Sequence, residues 1–146
     1  MIYNAIDKAL QAYIATKIVE PLRLVVQWDN TLILDSQGQP YKEDPWQRTE
    51  PWITVSVTPL DDLGADFGAP RRMVRYTGVI MIRVLTPLNG GTADSRELAD
   101  HICKVLSLQD IDPVTTQVAK IVNRAAVNGW WQTNINCSWT ANALTN

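Results

Sequence analysis

The residues that could do chemistry in this chain are few and scattered. His101 is its single histidine, so no pair of imidazoles can hold zinc, and a general-base role would need a nucleophile beside it. No Gly-x-Ser-x-Gly elbow accompanies it. It lies amid a helical pattern with Asp100 and Lys104 close by, which reads as helix surface. Asp61-Asp62 and Asp110-Ile111-Asp112 place carboxylates where they could bind metal or share a proton, yet neither fits the calcium-loop pattern. Solvated loop carboxylates are the plainer reading. Asn89-Gly90-Gly91 ahead of a helix could offer free N–H groups to an anion. It matches neither the dinucleotide fingerprint nor the P-loop, and no Lys follows, so it reads as a strand-to-helix turn. Cys103 and Cys137 have neither disulfide-framework density nor metal-ligand spacing and read as two small buried hydrophobes. No catalytic constellation emerges. The chain is read as a non-enzyme with no cofactor and no metal.

Other residues suit contact with a macromolecule. Arg71, Arg72 and Arg75 could meet phosphate, but Asp61, Asp62 and Asp66 share their loop, so salt bridges across a subunit boundary fit equally well. The tryptophans Trp28, Trp46, Trp52, Trp130, Trp131 and Trp139 could stack on single-stranded bases. The alternation around Trp131 and Trp139 turns those two into a core instead. Trp46, between Pro45 and Gln47 in a polar stretch, reads as an exposed contact. Leu32, Ile33 and Leu34 run into Asp35-Ser36-Gln37-Gly38, which suggests a small projecting hairpin within the turn-rich segment 29–51. Loops of that length usually carry contacts.

The elements that position these residues are legible from periodicity. Ile2, Ile6, Leu10, Tyr13, Ile14 and Ile18 recur at three-four spacing among helix-favouring alanines, which predicts a helix over 2–18 ended by Pro21. Leu24 to Trp28 reads as a first strand. Trp52 to Thr58 is a second, with Ile53, Val55 and Val57 inward. The segment 59–72 reads as a long loop, acidic first and basic last. Val74, Tyr76, Ile80, Ile82 and Val84 share one face of a third strand, opposite Arg75, Thr77 and Arg83. Pro87 ends that strand, and Thr92 or Asp94 can cap a helix whose stripe is Leu98, Ile102, Val105 and Leu106, with Glu97 completing a capping box. A less regular strand runs over 114–127, Asn128-Gly129 signals a hairpin turn, and Trp131 to Trp139 alternates as the last strand. The expected fold is α+β: a mainly antiparallel sheet of about five strands with two α-helices packed on one face, an α/β sandwich with long loop extensions.

Composition agrees with one folded domain. At 146 residues with 46% hydrophobic and 19% charged residues, the chain can bury roughly 70% of its unfolded surface. A net charge of −2 points to neither nucleic acid nor an anionic membrane. No apolar run spans a bilayer. The opening residues lack the basic start and apolar core of a signal peptide, so cytoplasmic synthesis is expected.

As a whole the sequence resembles the small tail terminator (minor tail, tail completion) proteins of long-tailed bacteriophages. The likeness is carried by the helix over 2–18, by Trp28-Asp29-Asn30, and by the stretch from Glu50-Pro51-Trp52-Ile53 to Thr58-Pro59. It is carried most specifically by Tyr76-Thr77-Gly78-Val79 through Thr86-Pro87-Leu88-Asn89-Gly90-Gly91 into the following helix. Gly129-Trp130-Trp131 also fits, whereas the segment 29–51 is longer than the family pattern. The resemblance covers most of the chain and lies in turns and patterning. It implies a structural virion protein at the head-proximal end of the tail: a homo-oligomeric ring, usually a hexamer, that caps the tail tube and stops its polymerisation. Its partners would be itself, the tail tube protein and the head completion or stopper protein of the connector, with genomic DNA passing through the lumen unread and no membrane. A head completion or adaptor protein of the neck is the alternative, and a nucleic-acid-binding protein a remote one. The expected interface residues are Leu32, Ile33, Leu34, Trp46, Asp61, Asp62, Asp66, Arg71, Arg72 and Arg75.

Overall fold

A computed structural model describes residues 2–29, 33–44, 50–64, 72–88 and 92–145. The chain begins with α1 (Ile2–Ile14), whose Ile6, Leu10 and Ile14 are fully buried. The helix does not stop before Pro21. It widens into a π-helical turn at Ala15–Val19 and continues as the short α2 (Glu20–Leu22), with Pro21 in its first turn. Proline lacks an N–H and its ring clashes with the carbonyl four residues back, and a widened turn relieves both constraints. Helical geometry ends instead at Arg23, which adopts a left-handed φ of 52° while Leu24 N–H donates to the Val19 carbonyl at 3.0 Å.

The expected five-strand sandwich is not what forms. Half of the chain is strand and 29% helix, and the described residues form a single curled sheet of eight strands. The strands are β1 (Val25–Trp28), β2 (Ile33–Leu34), β3 (Trp52–Gly64), β4 (Arg72–Pro87), β5 (Asp110–Ile111), β6 (Val114–Thr116), β7 (Lys120–Val127) and β8 (Trp130–Thr145). Their order is β2-β1-β3-β4-β8-β6-β5, with β7 also on β8. Among the described residues only β1 and β3 pair in parallel, and the other pairings are antiparallel.

Three differences make up the correction. The expected loop 59–72 is largely strand: β3 runs to Gly64 and β4 starts at Arg72, paired as far as Gly64↔Val74 across a bulge between Pro59 and Asp62. Pro59 is tolerated because β1 covers β3 only from Trp52 to Val55, so the Pro59 stretch is an edge where no N–H is needed. The expected single strand 114–127 is broken. Both pieces lie on the same edge of β8, β7 against Trp130–Asn136 and β6 against Trp139–Ala141. Finally, β2 pairs with β1, and β5 forms a tight hairpin with β6.

One face of the sheet carries the main core. Ile53, Val55, Ile80, Ile82, Val84, Ile135, Cys137 and Trp139 meet Ile6, Leu10, Ile14 and Ile18 from the N-terminal helix and Ile102 and Leu106 from α3 (Thr92–Leu106). Tyr13 ties the two helices, its hydroxyl donating to the Val105 carbonyl at 2.7 Å. Gly78 lies opposite Trp139 in the β4–β8 ladder, and a Cβ there would overlap the Trp139 indole and the Thr58 carbonyl. A second, smaller cluster of Val25, Trp52, Leu85 and Trp130 occupies the other face at one end of the sheet. Trp52 and Trp130 meet edge to face, with ring centroids 6.4 Å apart. The turn joining β7 and β8 has positive φ at both Asn128 (49°) and Gly129 (82°), which the Asn-Gly pair tolerates.

Candidate assembly interface

The expected interface residues fall into three groups. Leu32, Trp46, Asp66 and Arg71 lie outside the described residues, as does the Gly90-Gly91 turn. Asp61 and Asp62 are strand residues of β3, with Asp62 opposite Tyr76, and Arg72 begins β4 opposite Thr145. Arg75 is exposed on β4, and its Nε donates to Asn142 Oδ1 at 3.3 Å. The segment 59–75 is therefore ladder for much of its length, and β8 extends the ladder on the far side of β4.

Ile33 and Leu34 serve the subunit's own packing. In β2 they alternate, so Leu34 packs on the main core and Ile33 on the Trp52–Trp130 cluster. The hairpin is real: Tyr41 N–H donates to the Ile33 carbonyl at 2.8 Å, and Leu34 bridges Pro40. Its turn is held by Asp35 Oδ1, which accepts from Gln37 N–H and Gln39 N–H at 2.9 Å each. Tyr41 packs beside Ile33 over the second cluster, so this hairpin folds down onto the outer face of the sheet.

Of the groups first weighed for chemistry, the two cysteines come close to each other. Asp110 and Asp112 are exposed near the β5–β6 turn, and among the described residues no three of His, Cys, Asp and Glu converge. Cys137 is buried in the core, and Cys103 packs against it half-buried. Burial, then the neighbouring Cys103, pushes the Cys137 thiol up to about 11. That keeps it a protonated, unreactive thiol at neutral pH. A different carboxylate pair does approach: Asp7 and Asp29 line a cavity of about 100 Å³ between α1 and the β1 end. Partial burial and then the Asp29 charge raise the Asp7 carboxyl, while Asp29 Oδ2 accepts from Val57 N–H at 3.1 Å.

What the periodicity did not reveal is where apolar side chains are left outside. Leu60 on β3, Met81 on β4 and Val122 on β7 are exposed, as are Val118 between β6 and β7 and Leu108 just beyond α3. All project from or beside ladder backbone. Leu108 is held firmly: its N–H donates to the Gln117 carbonyl at 3.1 Å, and the end of α3 is tied down by Thr116 Oγ1, which donates to the Leu106 carbonyl at 2.5 Å. An open cleft of about 560 Å³ lies between the α2–β1 junction and α3. Leu22, Leu24, Pro51 and Leu98 give its apolar lining, and Arg23, Glu50, Glu97 and His101 its polar one.

No protein-family model and no curated protein matches the sequence. Twelve solved chains match the fold. One of them, whose name describes no activity, aligns with a TM-score of 0.61 and 12% identity over 96% of this chain and 98% of its own. Such a likeness shows a shared fold along nearly the whole of both chains.

Proposed function

We propose that this chain is a structural assembly protein, and specifically a ring-forming phage tail terminator. The assembly reading is carried by one observation. Large apolar side chains stand exposed on strands, at Leu60, Met81 and Val122, outside both core clusters. The terminator identity is supported by the sequence resemblance described above.

The mechanism is steric. A subunit with different patches on its two sides closes into a ring if the rotation between copies closes. The ring then presents its ladders to the last ring of the tail tube on one side and to the head connector on the other. Binding blocks further tube addition, and no turnover is required.

The test is electron microscopy of lysates from the parent phage with this gene disabled. Overlong tail tubes lying apart from filled heads establish the terminator. Tails of normal length beside unattached heads assign the protein to the neck as an adaptor or completion component. No candidate helix is long and apolar enough to cross a membrane among the described residues.

A further inference from the structure

We propose that a second copy of this chain docks the outer edge formed by β7 and the Leu108–Val118 surface into the cleft between α2–β1 and α3, head to tail. This names the lateral interface of the ring proposed above and rests on that reading.

Three independent features of the β7 edge call for a partner. The first is the free backbone: among the described residues β7 pairs with β8 on one side only, so alternate residues of the strand turn N–H and C=O groups outward with no strand beside them. Six of its eight residues are exposed, including Val122, where a bulge between Ile121 and Asn123 breaks the register. A bulge and basic side chains prevent indiscriminate edge pairing while leaving a specific partner possible.

The second feature is Leu108. It adopts a left-handed φ of 55° at the end of α3, where glycine or asparagine is the unstrained choice. Its side chain is 70% exposed, so the subunit gains little burial in return. Val118, 51% exposed, flanks the Gln117 carbonyl that holds Leu108 in place. A strained backbone that displays an apolar side chain to water is accounted for once another molecule covers it.

The third feature is charge. Beyond Asp112 the sequence contains no Asp or Glu, while Lys120 and Arg124 stand exposed on β7. The cleft has the opposite balance, with Glu50 and Glu97 against one Arg23. Its apolar lining of Leu22, Leu24, Pro51 and Leu98 suits Val118 and Val122 as the β7 edge suits the carboxylates. The two patches are also built from different residues: β7 follows β3, β4 and β8 in the strand order from β1. Unlike patches on one subunit make a heterologous interface, the kind that closes rings.

The experiment uses the full chain in two variants made only at exposed positions. Leu22→Arg/Glu97→Arg spoils the cleft, and Lys120→Gln/Val122→Gln spoils the edge without adding a charge that the altered cleft could attract. Sedimentation velocity reads mass, and urea unfolding confirms that both remain folded. The wild type is expected to assemble and each variant alone to sediment as a single chain. An equal mixture should give a dimer and nothing larger, because one intact cleft and one intact edge remain between the two kinds of subunit. Either variant assembling like the wild type overturns the interface but leaves the ring reading standing. So does a mixture that stays monomeric when both variants are monomeric. A wild type that stays monomeric at every concentration also overturns it, while the lysate micrographs still decide the terminator reading on their own.

Discussion

The two faces of the sheet are built to different ends. Beneath the helices, Ile53, Val55, Ile80, Ile82, Val84, Ile135, Cys137 and Trp139 form a continuous apolar surface with almost no exposure. On the other face, apolar packing is confined to one end, where Val25, Trp52, Leu85 and Trp130 gather under the hairpin 33–41. The rest carries Thr54, Ser56, Arg83, Asn134, Asn136 and Ser138, with Met81 exposed among them. Folding free energy is therefore concentrated on one side. On the assembly reading proposed above, the other side and the β7 edge are the surfaces for contacts, and the subunit is stable before it meets its neighbours.

Truncation at adjacent positions on β4 separates the two faces by the largest margin. Ile82→Ala should cost about 3 kcal/mol of stability, because a fully buried side chain leaves a cavity. Met81→Ala, one residue away on the other face, should change stability by less than about 0.5 kcal/mol. Urea midpoints of the two variants measure this, and equal losses would mean the outer face is also a core.

Gly78→Ala should cost about 2 kcal/mol, since the added methyl overlaps the Trp139 ring and the Thr58 carbonyl. A smaller ring relieves part of the overlap. Trp139→Phe combined with Gly78→Ala should therefore cost less than the sum of the two single losses, as a double-mutant cycle would read.

The inner face also predicts a pH response. The Cys137 thiol is raised from 9.0 to about 11, by burial first. The folded chain thus keeps a proton that the unfolded chain releases. Stability from this group is complete below about pH 9 and falls as pH rises toward 11. Cys103 is raised in the same sense. In Cys137→Ala the alkaline fall in the unfolding midpoint should be shallower than in the wild type.

The smallest effect is the most diagnostic for the outer surface. Leu108→Gly removes backbone strain at a left-handed position and should stabilise the isolated subunit by about 0.5–1 kcal/mol. The same change should weaken assembly. A variant that is less stable, or that assembles undiminished, would show that Leu108 serves its own subunit.

Much of the inner face was legible because a single periodicity governed each element. Ile6, Leu10, Ile14 and Ile18 announced the helix stripe, and Ile80, Ile82 and Val84 the strand. The second cluster was missed because its residues have the opposite parity. Yet each stands beside an inward one: Val25-Val26, Trp52-Ile53, Val84-Leu85 and Trp130-Trp131. Neighbouring apolar pairs on four strands signal a sheet end buried on both faces. The full length of β3 was hidden by Pro59, Asp61 and Asp62, whose poor strand propensity matters little on an uncovered edge. Pro21 misled because its usual effect presumes regular α-helix, and the π turn before it changes the geometry. The β7 edge was legible as strand but not as surface, since only the ladder shows which side lacks a partner.

The most direct measurement is amide hydrogen exchange of β4 and β7 as a function of protein concentration. β4 is paired on both sides, so its central amides should be protected at every concentration. Outward-facing β7 amides should exchange quickly in dilute solution and gain protection as copies assemble. If β7 exchange stays the same at all concentrations while the chain demonstrably assembles, the edge is not the interface and the division of labour between the two faces is wrong.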